Sequence, residues 1–206
     1  MLSRLGALLA FFLFATFGLS ACVSSFQTNY GHAVPAETSR LWHVSDVKVD
    51  VPKTLTVSEQ KSIFPFADIV WREDPPGDRR QQVGKIIADA ARKGAAGLHG
   101  SRPVRLDIVV SRFHALTFEA EAKLSRSGVH NIDFTVTVVD ARTGEVLAGP
   151  EAVEAALPAL AGTEMIEARL RGESQKSQIS DHLVKVFAGW LGVGPDPREK
   201  FTRLGG

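Results

Sequence analysis

Val129-His130-Asn131-Ile132-Asp133-Phe134-Thr135-Val136-Thr137-Val138-Val139 alternates apolar and polar residues for most of its length. A period of two is that of a strand with one buried face, which places Ile132, Phe134, Val136 and Val138 toward a core. The stretch just before it alternates as well: Phe118, Ala120, Ala122 and Leu124 are separated by Glu119, Glu121 and Lys123. Arg126-Ser127-Gly128 between them suits a three-residue hairpin loop with Gly128 in the left-handed region. In that register Leu124 falls opposite His130 and Ala122 opposite Ile132, so both apolar sets share a face. The pattern predicts an antiparallel hairpin of Phe118–Leu124 with Val129–Val138.

Working outward, Val104, Leu106, Ile108 and Val110 predict another half-buried strand after Pro103. A bend or bulge is expected between Ser111 and Leu116, because Arg112 and His114 would otherwise face the core. Downstream, Asp140-Ala141-Arg142-Thr143-Gly144 reads as a turn in which Asp140 binds backbone amides and Gly144 takes positive φ. Glu145–Gly149 returns as a strand, Pro150 halts or bulges it, and pairing resumes to about Ala156. Leu157–Gly172 reads as a loop with a short strand at Met165–Leu170. Toward the N-terminus, Val47, Val49 and Val51 mark a strand over Leu41–Val51, and Ala67–Arg72 marks another, ending at Trp71.

Two helices frame these strands. Asp78 is an N-cap with Gln81 three residues on, and Val83, Ile86, Ile87, Ala90 and Ala91 form one stripe over Arg79–Lys93, with Gly94 and Gly97 as stop signals. Ser174 or Ser177 caps a second helix whose stripe is Ile179, Leu183, Val186, Phe187, Trp190 and Leu191, ended by Gly192, Gly194 and Pro195. Strands clustered between two helices predict an α+β two-layer sandwich, a mostly antiparallel sheet with both helices on one face.

The N-terminus has a different character. Arg4, then the apolar run Leu5–Leu19, then Leu19-Ser20-Ala21-Cys22 follow the pattern of a secretory signal with small residues before the cleavage point. The run is a little short of the roughly 20 residues that a spanning helix needs. Cys22 is the only cysteine among 206 residues, and its place in this motif marks it as the lipidation site of a bacterial lipoprotein. Val23 favours the outer over the inner membrane. The expected division is a signal peptide over 1–21, a flexible tether over 22–40 spanning about 20–25 Å, one domain over 41–192, and a loose tail over 193–206. A chain beginning at Leu41 is then expected to fold by itself. Lys plus Arg number 24 against 23 Asp plus Glu, and Arg4 leaves with the leader. The balance lacks the clustered basic excess of a nucleic-acid or polybasic membrane surface.

No catalytic, cofactor or metal constellation is read from the chain. Ser58-Glu59-Gln60-Lys61 has the Ser-x-x-Lys spacing of penicillin-binding enzymes but lacks their Lys-Thr-Gly and Ser-Asp-Asn companions. The histidines (His32, His43, His99, His114, His130, His182) include no His-x-x-x-His pair. Gly94-Ala95-Ala96-Gly97 follows a helix, whereas phosphate-cradling glycines precede one. Glu119 and Glu121, read on a strand, would stand about 7 Å apart on its outer face.

Several segments carry a family likeness: Trp71 with Pro75, Arg105-Leu106-Asp107-Ile108-Val109-Val110 with Phe113, Val136-Thr137-Val138-Val139-Asp140 with Thr143-Gly144, and Trp190-Leu191. Over about Ile69–Leu191 the chain resembles small bacterial envelope lipoproteins of uncharacterised families. More distantly it is similar to auxiliary lipoproteins of ABC-type transport of the paraquat-inducible C type. The resemblance implies a non-enzymatic accessory or adaptor protein, held to the membrane by its lipid and facing the periplasm, with an envelope protein as partner. The alternative from the residues is a periplasmic hydrolase or small-ligand-binding module with a dispersed site.

Overall fold

The computed structural model describes residues 25–124 and 128–202. The expected signal peptide, Cys22 and the expected hairpin loop at Arg126-Ser127 lie outside the described residues. In chain order the elements are β1 (Ser25–Tyr30), α1 (Ala36–Ser39), β2 (Trp42–Asp50), β3 (Ile69–Val70), α2 (Arg79–Gly94), β4 (Arg102–His114) and α3 (Phe118–Lys123). They continue with β5 (Gly128–Asp140), β6 (Val146–Ala155), β7 (Leu157–Ala159), α4 (Gly162–Leu170), α5 (Gln175–Trp190) and β8 (Glu199–Thr202).

The described strands form one sheet in the order β2-β4-β5-β6-β1-β8, with β3 also beside β4 and β7 also beside β5. Pairing is antiparallel except at β4, which takes both β2 and β3 in parallel. Parallel neighbours need a long crossover, and α2 lies in the connection that supplies it. α2 packs on α5 and on β2, and α5 packs on β6 and β7. The two long helices therefore cover the same sheet face, as the α+β sandwich requires. Between the layers Leu106, Ile108, Ile132 and Val136 meet Val83, Ile87, Leu183 and Val186, all buried. Phe134 stacks on Phe187 with ring centroids 5.1 Å apart.

Local chemistry sets the helix starts. Asp78 accepts from the amides of Arg80 and Gln81 at the head of α2. Ser174 and Ser177 form a reciprocal capping box at the head of α5, which satisfies amides that the helix itself leaves unpaired. The Asp140 turn forms as its residues dictate: Asp140 Oδ1 accepts from the amides of Arg142 and Thr143 at 2.8 and 3.0 Å, and Gly144 has φ +77°. The expected bulge in β4 falls between Val110 and Arg112, where the register against β5 slips, and it turns Phe113 inward.

Four expectations need correction. Phe118–Leu124 is not a strand; Phe118–Lys123 is the helix α3, and β5 pairs with β4 along its length, Ile132 facing Phe113. The Thr117 hydroxyl accepts from the Ala120 amide at 3.0 Å as an N-cap. Alanine, glutamate and lysine favour the helix, so Ala–Glu alternation is weak evidence for a strand. Leu157–Gly172 is not a loop with a strand at Met165–Leu170 but β7 followed by α4. Residues 25–40 of the expected tether are built into the fold, with β1 seated between β6 and β8. The tail over 193–206 is not loose throughout either, since β8 pairs with β1 from Ser25↔Thr202 to Thr28↔Glu199. The polar composition of Val23–Arg40 conceals Thr28, Tyr30 and Val34, which are buried.

Candidate functional site

Strand directions define the end of the molecule that matters. β5 begins at Gly128, β4 finishes at His114 opposite Asn131, and β1 runs parallel to β5 across β6. β1 and β5 therefore start where β4 ends. At that end a cleft of about 520 Å³ opens between the 56–68 loop, the close of β4, and the start of β5.

The loop is held by a small polar lattice. Thr56 donates to Asp68 Oδ2 from its amide and its hydroxyl, at 2.8 and 2.7 Å, and the Asp68 amide donates back to Thr56 Oγ1 at 3.0 Å. These donors hold the Asp68 carboxyl below its ordinary pKa. His114 Nε2 donates to the Pro65 carbonyl at 3.3 Å, and burial lowers its pKa. Thr117 Oγ1 donates to the Ser62 carbonyl at 2.7 Å. Apolar walls come from Ile63, Leu116, Leu124 and Val129. His114 and Arg112 give the cleft a base and a cation.

Apart from His114, the residues singled out from sequence do not converge there. Ser58 is buried and its hydroxyl accepts from the Gln60 amide at 3.2 Å, while Lys61 is exposed. Glu59 is engaged by Arg79 Nε at 2.7 Å. His32 and His99 are exposed, and His43 Nδ1 meets the Gly100 carbonyl at 2.8 Å. His130 is wholly buried, with neither ring nitrogen hydrogen-bonded, and burial, then His182 and His114, push its pKa down to about 3. The Thr28 hydroxyl donates to the Ala156 carbonyl at 2.9 Å, so it accepts from His182 Nε2, also at 2.9 Å. Burial, then Lys185, push the His182 pKa down to about 4. Among the described residues no group of three or more His, Cys, Asp or Glu could hold a metal, and no helix is long and apolar enough to cross a membrane.

Glu119 and Glu121 are not a carboxylate pair on a strand. Both sit on α3, and Glu121 accepts from Arg169 Nε and Nη2 at 3.0 and 2.9 Å. The same guanidinium donates from Nη1 to Glu73 Oε1 at 2.8 Å, and Gln175 donates to both carboxylates, from its amide to Glu73 and from its side chain to Glu121. These bonds, first to Glu121 and then to Glu73, raise the Arg169 pKa further above its ordinary value. The clamp ties the β3–α2 connection, α3, α4 and α5 together near the cleft. Sequence reasoning missed it because its members lie up to 102 positions apart.

These features define a small α+β domain with an open cleft at one end of its sheet. The chain belongs to a family of unknown function, DUF6778, whose model matches residues 42–206. No curated protein matches the chain. Among solved structures it is similar to the PelC dodecamer from Paraburkholderia phytofirmans, at 13% identity over 82% of this chain and 98% of that one, TM-score 0.39. It is also similar to protein XCC0632 from Xanthomonas campestris, assigned to DUF330, at 12% identity over 78% of this chain and 88% of that one, TM-score 0.44.

Proposed function

We propose that this protein is a lipid-anchored, periplasm-facing accessory lipoprotein of a bacterial envelope complex, working by docking rather than by catalysis. The observation that carries the reading is Leu19-Ser20-Ala21-Cys22, which puts the sole cysteine at the cleavage position of a secretory leader. The first described strand starts at Ser25, so a lipid on Cys22 would hold the domain close to the membrane. Many charged side chains that could serve chemistry are engaged in structural clamps, as with Arg169 between Glu73 and Glu121. Val23 supports outer-membrane placement, and the resemblance to auxiliary lipoproteins of ABC-type transport supports an association with transport.

The test is the mass of the mature N-terminal peptide, with membrane fractionation and crosslinked pull-down of the full-length protein. A diacylglycerol-modified Cys22 and a recurrent envelope partner are expected. Full function from an exported domain without lipid would overturn the tethered-adaptor reading.

The cleft beside His114 favours a second reading, a small-ligand-binding or hydrolytic module, because it combines apolar walls with a base and a cation. Alanine at His114, Ser58, Lys61 or His99 distinguishes the two. The adaptor reading expects the cellular phenotype to survive each at normal abundance, and the second reading expects loss at His114.

A further inference from the structure

Large apolar side chains are not exposed evenly over this molecule. Phe66 is fully exposed, and Leu170, Phe64, Ile166 and Phe118 are exposed by 84%, 64%, 63% and 46%. All five lie in segments at one end of the sheet. Phe64 and Phe66 are on the loop that roofs the cleft. Phe118 opens α3, three residues past Ala115, whose amide is bonded to the Val70 carbonyl just beyond the end of β4. α4 packs on α3 and begins after β7, whose last residue, Ala159, pairs with Gly128 at the start of β5. Elsewhere among the described residues the exposed large apolar side chains are Leu41, Val109, Val146 and Val193, on four different segments. Singly exposed apolar residues are ordinary, whereas a cluster marks a contact surface.

The chain's own anchor identifies the contact. β1 enters the sheet at this same end with Ser25, and three Cα-to-Cα steps link Cys22 to Ser25. Whatever path they take, they reach at most roughly 11 Å. An acyl-anchored cysteine sits at the headgroup level, so the end carrying Phe64, Phe66 and Phe118 is drawn against the bilayer. Phe26, on β1, stacks on Phe201 with centroids 6.0 Å apart beside this point.

We propose that this end of the sheet is a bilayer-contacting surface, with Phe64, Phe66 and Phe118 inserted at the headgroup–acyl boundary. The lipidated cysteine and the aromatic loop then act as two anchoring signals that fix the orientation of the domain. This rests on the lipoprotein reading, and its test reports the two separately.

Full-length mature protein carrying Phe66→Cys is labelled with a polarity-sensitive fluorophore and placed in protein-free vesicles of phosphatidylethanolamine and phosphatidylglycerol. Lipidation blocks Cys22, so only the introduced thiol reacts. Val146→Cys, at the far end, is the control. The expected result is blue-shifted emission at position 66, with most of its intensity lost to lipids brominated on their chains, and no change at position 146. Emission at position 66 matching that at position 146 would overturn the surface. So would protection at 66 that appears in native membranes but not in protein-free vesicles, since a protein would then be the occupant. The mass of the N-terminal peptide reads lipidation independently, and a free Cys22 thiol would sink the lipoprotein reading instead.

Discussion

A Cβ built on Gly94 would stand 2.7 Å from the Cβ of Phe187, and equally close to the Val184 carbonyl oxygen. The last turn of α2 therefore touches the backbone of α5 directly. Gly94 was expected to stop the helix, but it ends α2 without positive φ, and Ala95 is the cap in the helical region. Its value lies in this close approach, which seats Phe187 on Phe134.

Gly94→Ala should accordingly destabilise the domain. Overpacking of a well-filled contact costs about 1–3 kcal/mol. The helix-propensity gain of alanine over glycine, about 0.5–1 kcal/mol, offsets only part of that. Urea unfolding of a soluble domain beginning at Ser25 should show a lower midpoint with an unchanged m-value. A higher midpoint would mean the helices can separate freely.

The elements legible in the sequence were those whose signal is local. The α2 and α5 stripes, the Asp78 and Ser174 caps, the Asp140 turn and the alternation of β4 and β5 all depend on residues within a few positions of one another. The misread parts depended on partners far along the chain. β5 could be given a neighbour by alternation alone, and Phe118–Leu124 alternates, but β4 occupies that place with longer side chains facing the core. β1 is short and polar in composition, and only β6 and β8, more than 100 positions away, make it a strand. The cleft and the Arg169 clamp were illegible for the same reason.

Acid should weaken the fold through wholly or partly buried histidines, His130 and His182 foremost and His114 with them. His130 and His182 have folded pKa values of about 3 and about 4 against an ordinary 6.5. The unfolded chain therefore takes up protons near pH 6.5 that the folded protein refuses. Stability is complete above that pH and falls on acidification, by up to about 1.4 kcal/mol per pH unit for each histidine. His130→Leu should flatten the slope between pH 6 and 5, removing roughly a third to a half of it, since His182 and His114 remain. It should hold or raise stability at pH 7, because it removes a buried imidazole with no hydrogen-bond partner. Melting temperatures across pH 5–8 would check both, and an unchanged slope in the variant would defeat the assignment.

Arg169 should prove more important than its place on a nine-residue helix suggests. Its removal leaves Glu73 and Glu121, both largely shielded from solvent, facing each other without their shared cation. Arg169→Ala is expected to cost about 1.5–3 kcal/mol, the range for hydrogen bonds to charged groups. Arg169→Lys should recover little, since an ammonium cannot fork to two carboxylates as the guanidinium does. A double-mutant cycle with Glu121→Gln isolates the pair. A coupling indistinguishable from zero would show the clamp to be surface decoration.

The fold should not survive removal of the residues first read as a tether. β1 is an interior strand: it bonds β6 on one side and is the only described partner of β8 on the other. Tyr30 is buried beneath the Arg198 guanidinium, 4.9 Å from its ring centroid, and the Val34 amide donates to the Trp190 carbonyl at 2.7 Å where α5 ends. Loss of one buried aromatic costs about 3–5 kcal/mol, against about 5–15 kcal/mol for the stability of a typical domain. Starting the chain at Leu41 also uncovers the β6 edge, a template for aggregation. A chain starting at Ser25 should unfold cooperatively and elute as a defined species, and one starting at Leu41 should aggregate or lose its sharp transition. If both unfold at the same midpoint with the same m-value, β1 contributes nothing. The short reach from Cys22 would then no longer fix which end of the sheet meets the membrane.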